Sequence, residues 1–252
     1  MATRRDPPAA ARLRLHVQRA ISFVLAPLWL AALVAWLRFV ADYRIADVAA
    51  VRAQYRELRR AGGPLLVCPN HRTMMDSALV AWALGSPATF LRDFGALPWN
   101  LPDRIHFASR WWRRAAVYVL KCLPVDRGGS RAALASVLED AAWLLRRGEA
   151  LLVFPEGRRS RSGRVEQHNK SWGPGRLIAA APGCRVLCIH LRGEHATALG
   201  FAPPRGERFH VRLDCFAPRA EQAGLRGSLD LTQQVIARLA ALEALHFGEA
   251  AA

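Results

Sequence analysis

The chain has 252 residues, enough for one α/β domain with a sizeable core, and 52% of them are apolar. Its formal net charge is +16, carried almost wholly by arginine because Lys121 and Lys170 are the only lysines, and such an excess implies anionic partners: phosphates, acidic lipid headgroups, an acidic carrier protein or nucleic acid. The five cysteines, Cys68, Cys122, Cys184, Cys188 and Cys215, are odd in number and scattered, which excludes a disulfide framework and points to a reducing compartment.

Residues 1–19 are basic and carry two prolines. Ala20 to Leu37 then runs without a charge, and at about 1.5 Å per residue it reaches roughly 27 Å, the lower edge of a membrane span. No small-residue cleavage site follows it, so it is not read as a signal peptide. Arginines crowd both flanks, Arg4, Arg5, Arg12, Arg14 and Arg19 before and Arg38, Arg44, Arg52, Arg56, Arg59 and Arg60 after, so a single span would put one basic cluster on the wrong side. Pro27 permits a kink within the run. The expectation is therefore a helical hairpin or in-plane anchor that holds both flanks at the cytoplasmic face of the cell membrane. The plainer alternative is a buried core helix.

Ile45 to Arg60 reads as a polar amphipathic helix with Ile45, Val48, Tyr55 and Leu58 as its apolar stripe, ended by Gly62-Gly63. Residues 1–60 thus form a basic, hydrophobic, membrane-associating segment, and 61–252 the main domain. Pro64 to Pro69 is a short apolar run bounded by prolines, the mark of a buried strand, and Met74 to Leu84 reads as a helix closed by Gly85. Thr89 to Leu91 reads as a second strand and Phe94 to Asp103 as a loop. A helix is expected around Trp111, Trp112, Val117 and Leu120, and a strand at Cys122 to Val125. Ser130 to Arg147 has a clear helical face of Leu134, Val137, Leu138, Ala141 and Leu145. Ala150 to Phe154 is a buried strand, Gly175 to Ala181 a helix, Arg185–Leu191 and Arg208–Phe216 strands, and Gly227 to Leu245 a closing helix. Strands alternating with helices predict an α/β fold, one domain with a mostly parallel central sheet flanked by helices.

Two stretches carry chemistry. In Asn70-His71-Arg72-Thr73-Met74-Met75-Asp76, a strand-to-helix turn can bring His71 and Asp76 together, though on a continuous helix their spacing would point them about 140° apart. Asp76, in the first helical turn, is ionised with the help of the helix dipole, fixes the tautomer of His71 and leaves the other ring nitrogen as a base. Taken alone, the spacing is short and common by chance, and a histidine capping a helix near an unrelated aspartate explains it better. In Phe154-Pro155-Glu156-Gly157-Arg158-Arg159-Ser160-Arg161, a strand ends in a turn that Gly157 makes sharp, and arginine forks follow that suit a phosphate. Glu156 sits inside that positive field and is expected to stay ionised, facing a substrate hydroxyl or an arginine. Arg127, in Asp126-Arg127-Gly128-Gly129, also lies just past a strand end, where open α/β sheets bind ligands. Cys184, Cys188, His190 and His195 lack any standard zinc spacing, and no nucleotide-binding, nucleophile-elbow or nucleic-acid motif is present.

Together these stretches resemble the glycerolipid acyltransferase family, whose best-known members acylate 1-acylglycerol-3-phosphate. Asn70-His71 with Asp76 is similar to its first motif, Asn-His-x-x-x-x-Asp; Phe154-Pro155-Glu156-Gly157 with Arg159-Ser160 is similar to its third, Phe-Pro-Glu-Gly-Thr-Arg-Ser; Arg127 matches the arginine ending the second. The glycine and aromatic that open the second motif are replaced by Lys121 and Pro124, Arg158 stands for the usual threonine, and Cys188 and His190 interrupt the apolar fourth motif near Val186 to Leu191. The resemblance implies a general base, His71, oriented by Asp76, that takes the proton of an acceptor hydroxyl as it attacks an acyl thioester. It implies acceptor binding by Glu156, Gly157 and Arg159, with Arg127 and Arg158 supporting the phosphate. No metal or redox cofactor is implied, since acyl-CoA or acyl carrier protein serves as co-substrate. The implied acceptor is a lysophospholipid giving phosphatidic acid. The rivals are another lyso-lipid, aminolipid or glycolipid, and, in a different class, a non-catalytic basic membrane-surface protein.

Overall fold

The computed structural model describes residues 6–126, 128–168, 171–195 and 200–250. Among the described residues, six strands form one sheet in the order β1-β6-β5-β2-β4-β3. These are β1 (Arg44–Ile45), β2 (Leu65–Pro69), β3 (Trp99–Asn100), β4 (Leu151–Leu152), β5 (Arg185–Gly193) and β6 (Arg208–Phe216). Every pairing is parallel except β5 with β6. The strand β2 lies between β5 and β4 and is buried along its whole length, which is why it reads as a continuous apolar run.

Alternation along the central strands divides the core in two. Leu66, Cys68, Val186 and Cys188 face one way, packed under α7 (Arg131–Arg146), α8 (Gly173–Ala180) and α9 (Gly224–Ala250). Leu65, Val67, Leu187 and Ile189 face the other way, against α3 (Asp76–Leu84), α4 (Pro87–Arg92) and Tyr55 of α2 (Val48–Arg60). At Gly175 the backbones of α8 and α9 approach so closely that a Cβ would lie 1.7 Å from the Ser228 carbonyl oxygen.

The helix α1 runs from Ala9 to Ala35, unbroken at Pro27, and ends in a single π turn at Trp36–Val40. It docks lengthwise on the body through Leu15, Gln18, Ser22, Ala26 and Leu30, one helical face. Polar groups fasten it there. The Gln18 amide donates to the Tyr118 and Cys122 carbonyls, the Ser22 hydroxyl to Val119, and Arg19 pairs with Glu149 at 2.7 Å. The opposite face, Leu13, Val17, Ile21, Val24 and Leu28, is apolar and open. After the π turn the chain turns back at Asp42, which has a left-handed φ of 54°, and β1 joins the sheet edge beside β6. This packing is that of a helix lying along the domain, not of a helical hairpin.

Four local expectations change. Thr89–Leu91 is helical within α4, because Ser86 caps it by accepting from the Thr89 N–H and Pro87 occupies its first turn. The loop at 94–103 contains β3, which adds to β4. Cys122–Val125 makes only isolated bridges, to Asn100 and Asp103, since Pro124 has no N–H to offer a ladder. The 104–119 region holds two helices, α5 (Arg104–Phe107) and α6 (Trp111–Val119).

Candidate active site

Because β2 and β4 are parallel neighbours, the loops leaving their C-terminal ends meet at one edge of the sheet. The first carries His71 and the second Glu156 to Arg161. The loops are bonded at two points: the His71 N–H donates to Glu156 Oε1 at 2.9 Å, and the Ser160 N–H donates to the His71 carbonyl at 2.8 Å. Asn70 ties the same turn to β5 by exchanging two hydrogen bonds with the Leu191 backbone, extending the strand pairing by one side chain.

His71 Nδ1 lies 3.0 Å from Asp76 Oδ2. That oxygen also accepts the Arg72 and Thr73 N–H groups, while Oδ1 accepts the Thr73 hydroxyl at 2.6 Å. Two backbone N–H groups and a hydroxyl already converge on this buried carboxylate as on an acceptor, so the tautomer that fits has the proton on Nδ1 and the lone pair on Nε2. The Phe154 ring stacks on the imidazole with centroids 3.8 Å apart and planes 16° from parallel, which fixes the ring's orientation.

His71 lines a cavity of about 740 Å³. Arg158, Arg159 and Arg161 border it, and the remaining wall is largely apolar: Trp29 and Leu33 of α1, Met74, Ala78 and Ala81 at α3, and Phe107, Val117 and Leu120 of the α5–α6 region. Arg159 donates to the Gly200 carbonyl at 3.1 Å, and Arg158 pairs with Glu166 at 3.2 Å. Arg161, which is farther from the strand end in sequence, returns to the cavity because the loop doubles back: its N–H and the Arg158 guanidinium share the Glu166 carboxylate. Arg164 points elsewhere, its guanidinium 3.4 Å from the centre of the Phe247 ring. Gly157 turns the chain at φ +71°, and a side chain there would press on Ser171.

Glu156 does not face the cavity. It is 3% exposed and lies behind the loop, accepting from the backbone of His71 and Glu166. Burial pushes its carboxyl up to about 7, with the two backbone donors opposing the shift, so the expectation of an ionised group in a positive field gives way to a buried brace. Arg127 lies outside the described residues. Among the backbone N–H groups before α3, those of Arg72, Thr73, Met74 and Met75 are already bonded within the loop or to Phe201. That narrows an oxyanion donor from the helix start to the first turn of α3, where Ser77 and Ala78 line the cavity.

A family model described as Acyltransferase matches residues 50–192, from α2 to the end of β5. The chain belongs to the glycerolipid acyltransferase family. No curated protein matches the chain. Lys121, just after α6, adopts a backbone conformation that favours glycine. Its φ is +53°, a conformation that costs a side-chain-bearing residue about 1–2 kcal/mol. Its ammonium is fully buried and donates to the Phe94 and Leu97 carbonyls and to Glu149 at 2.8 Å. Burial lowers it to about 8, with Glu149 opposing. Glu149 also accepts from Arg19 and from the Trp99 indole, so this buried network ties α1 to the cavity's loop. Sequence reasoning missed Asn70, Ser160 and Lys121 as organisers of the site. Asn70 and Ser160 stand in the motif patterns, but only their backbone partners reveal what they do.

Proposed function

We propose that this acyltransferase moves a fatty acyl group from an acyl thioester to the hydroxyl of a lysophospholipid, with 1-acylglycerol-3-phosphate giving phosphatidic acid as the leading acceptor. The observation that carries the reading is the cavity itself, where the imidazole held by Asp76 meets three guanidinium groups and a long apolar wall. His71 Nε2 takes the acceptor's hydroxyl proton while the oxygen attacks the thioester carbonyl. The tetrahedral intermediate then expels the thiolate, which recovers the proton from the imidazolium. Asp76 stabilises that cation, and the arginines grip the phosphate with bidentate forks. The apolar wall suits acyl chains.

α1 supports an in-plane membrane anchor. Its apolar stripe is free, whereas a span would leave Gln18 and Ser22 in hydrocarbon and break the Arg19–Glu149 pair. Trp29 and Leu33 line the cavity from this same helix, which gives a lipid a short path from the bilayer to His71. Both flanks then lie at the cytoplasmic face.

The test is a product assay with purified protein, using lyso-lipids that differ in headgroup and both coenzyme A and carrier-protein thioesters. Transfer to the phosphate-headed acceptor at a rate at least tenfold above the neutral ones supports the proposal. Preference for an acceptor without a phosphate would reject it in favour of another lyso-lipid.

A further inference from the structure

The hairpin α5–α6 lends its inner face to the cavity wall, yet its outer face exposes more apolar surface than that role explains. Trp111 is 81% exposed, Ile105 64% and Trp112 48%. Four arginines, Arg104, Arg110, Arg113 and Arg114, stand among them, and no acidic residue occurs between Asp103 and Asp126. The Asp103 carboxylate is itself committed to capping α5, accepting from Ile105 and His106 N–H groups.

The hairpin is braced. Arg113 donates to the His106 carbonyl and Arg114 to that of Ala108, so both guanidiniums stitch α6 to α5. Arg113 also sits 5.1 Å over the Trp112 ring. Tryptophan beside arginine on a firm frame is the composition of a membrane–water interface, where the indole lies at headgroup depth and the guanidinium meets lipid phosphate. Two further observations place the hairpin. At the C-terminal end of α6 the Tyr118 and Val119 carbonyls, and in the turn behind it that of Cys122, accept from Gln18 and Ser22 of α1. The same segment supplies Phe107, Val117 and Leu120 to the cavity wall, facing Trp29 and Leu33 of α1.

We propose that α5–α6 is a lip that inserts into the headgroup layer of an anionic bilayer and, with α1, brackets the passage by which lipid enters the cavity. The proposal rests on the membrane reading of α1 given above. An acidic carrier protein would need the arginines but not two exposed indoles and Ile105, so the bilayer is the occupant the surface fits. In this reading Trp111 and Arg110 meet the bilayer, and so does Arg104, exposed at the start of α5.

The test uses the full chain with vesicles of phosphatidylcholine, with and without phosphatidylglycerol, and reads binding rather than catalysis, so failure of the acyl-transfer reading would not affect it. W111S/W112S is expected to bind the anionic vesicles at least tenfold more weakly. R104Q and R110Q are each expected to weaken that binding about fivefold and to leave the neutral vesicles unaffected. Lipids brominated along their chains should quench wild-type emission more than that of W111F/W112F. Melting temperatures should be unchanged, because these side chains are exposed. Equal vesicle binding by wild type and W111S/W112S, or equal quenching of wild type and W111F/W112F, would overturn the proposal. So would variants that keep vesicle binding but lose affinity for acyl carrier protein.

Discussion

Asp76→Asn separates the two things Asp76 does for His71, holding it and neutralising it. The amide oxygen can take the place of Oδ2, keeping an acceptor for His71 Nδ1 and for the Arg72 and Thr73 N–H groups. The amide nitrogen then meets the Thr73 hydroxyl, which turns from donor to acceptor. The imidazole therefore keeps its tautomer and place. Two backbone bonds fall from charged to neutral strength, at about 1 kcal/mol each. The melting temperature should drop by about 4–8 °C, since about 1 kcal/mol shifts a chain of this size by about 2–4 °C. In the transition state the loss is larger. A unit charge about 4 Å from a forming imidazolium contributes up to about 4 kcal/mol at an effective dielectric near 20, or about a thousandfold in rate. The expected result is a kcat lowered by about 10²–10³ with the acceptor KM changed less than about threefold. Steady-state kinetics in detergent micelles would measure both. A folded Asp76→Asn enzyme with wild-type kcat would refute the claim that His71 becomes positive during transfer. Asp76→Ala is a poorer probe, because it also strands four donors.

Three more outcomes follow from the geometry. Glu156, raised by burial from 4.5 to about 7, stabilises the fold fully below pH 4.5 and loses that contribution as pH rises through 7. Urea unfolding from pH 5 to 7.5 should show a decline of about 2–3 kcal/mol that Glu156→Gln flattens; an equal slope in both proteins would assign it to another group. Arg159→Ala should raise the lyso-lipid KM about ten- to a hundredfold, with Arg159→Lys recovering part of it, and Arg161→Ala should act in the same direction because that residue also borders the cavity, while Arg164→Ala leaves KM near wild type. Equal effects at all three positions, abolished by salt, would reduce the loop to a membrane-attracting surface. Finally, Ala10→Cys and Ala50→Cys flank the proposed anchor, and if it lies in the plane of the cytoplasmic leaflet both should resist an impermeant thiol reagent applied to intact cells; labelling of only one would establish a true span.

What could be read from the chain alone depended on how local its cause was. Arg208–Phe216 was legible to the residue because alternation marks a strand with one covered face. The helix from Ser130 was legible because both its cap and its stripe are written in sequence. His71 and Asp76 were legible as a pair because a turn between neighbouring elements joins them. Thr89–Leu91 misled because β-branched and aromatic side chains suggest a strand, whereas the Ser86-Pro87 start decides for a helix. Two-residue strands such as Trp99–Asn100 carry no period at all. Glu156 was misread because its direction depends on the His71 N–H, contributed by a loop 85 positions away. The same holds for Arg161, which a doubling of the loop returns to the cavity, and for Lys121, whose buried partners come from two other segments.

The central claim is that the His71 imidazole is the base for acyl transfer to a lyso-lipid. The most direct measurement compares wild type with His71→Ala for diacyl product formed from an acyl thioester and 1-acylglycerol-3-phosphate, with folding verified by the melting temperature. The account predicts a loss of at least about 10²-fold in kcat with the fold retained. A folded His71→Ala protein that forms diacyl product at near wild-type rate would contradict it.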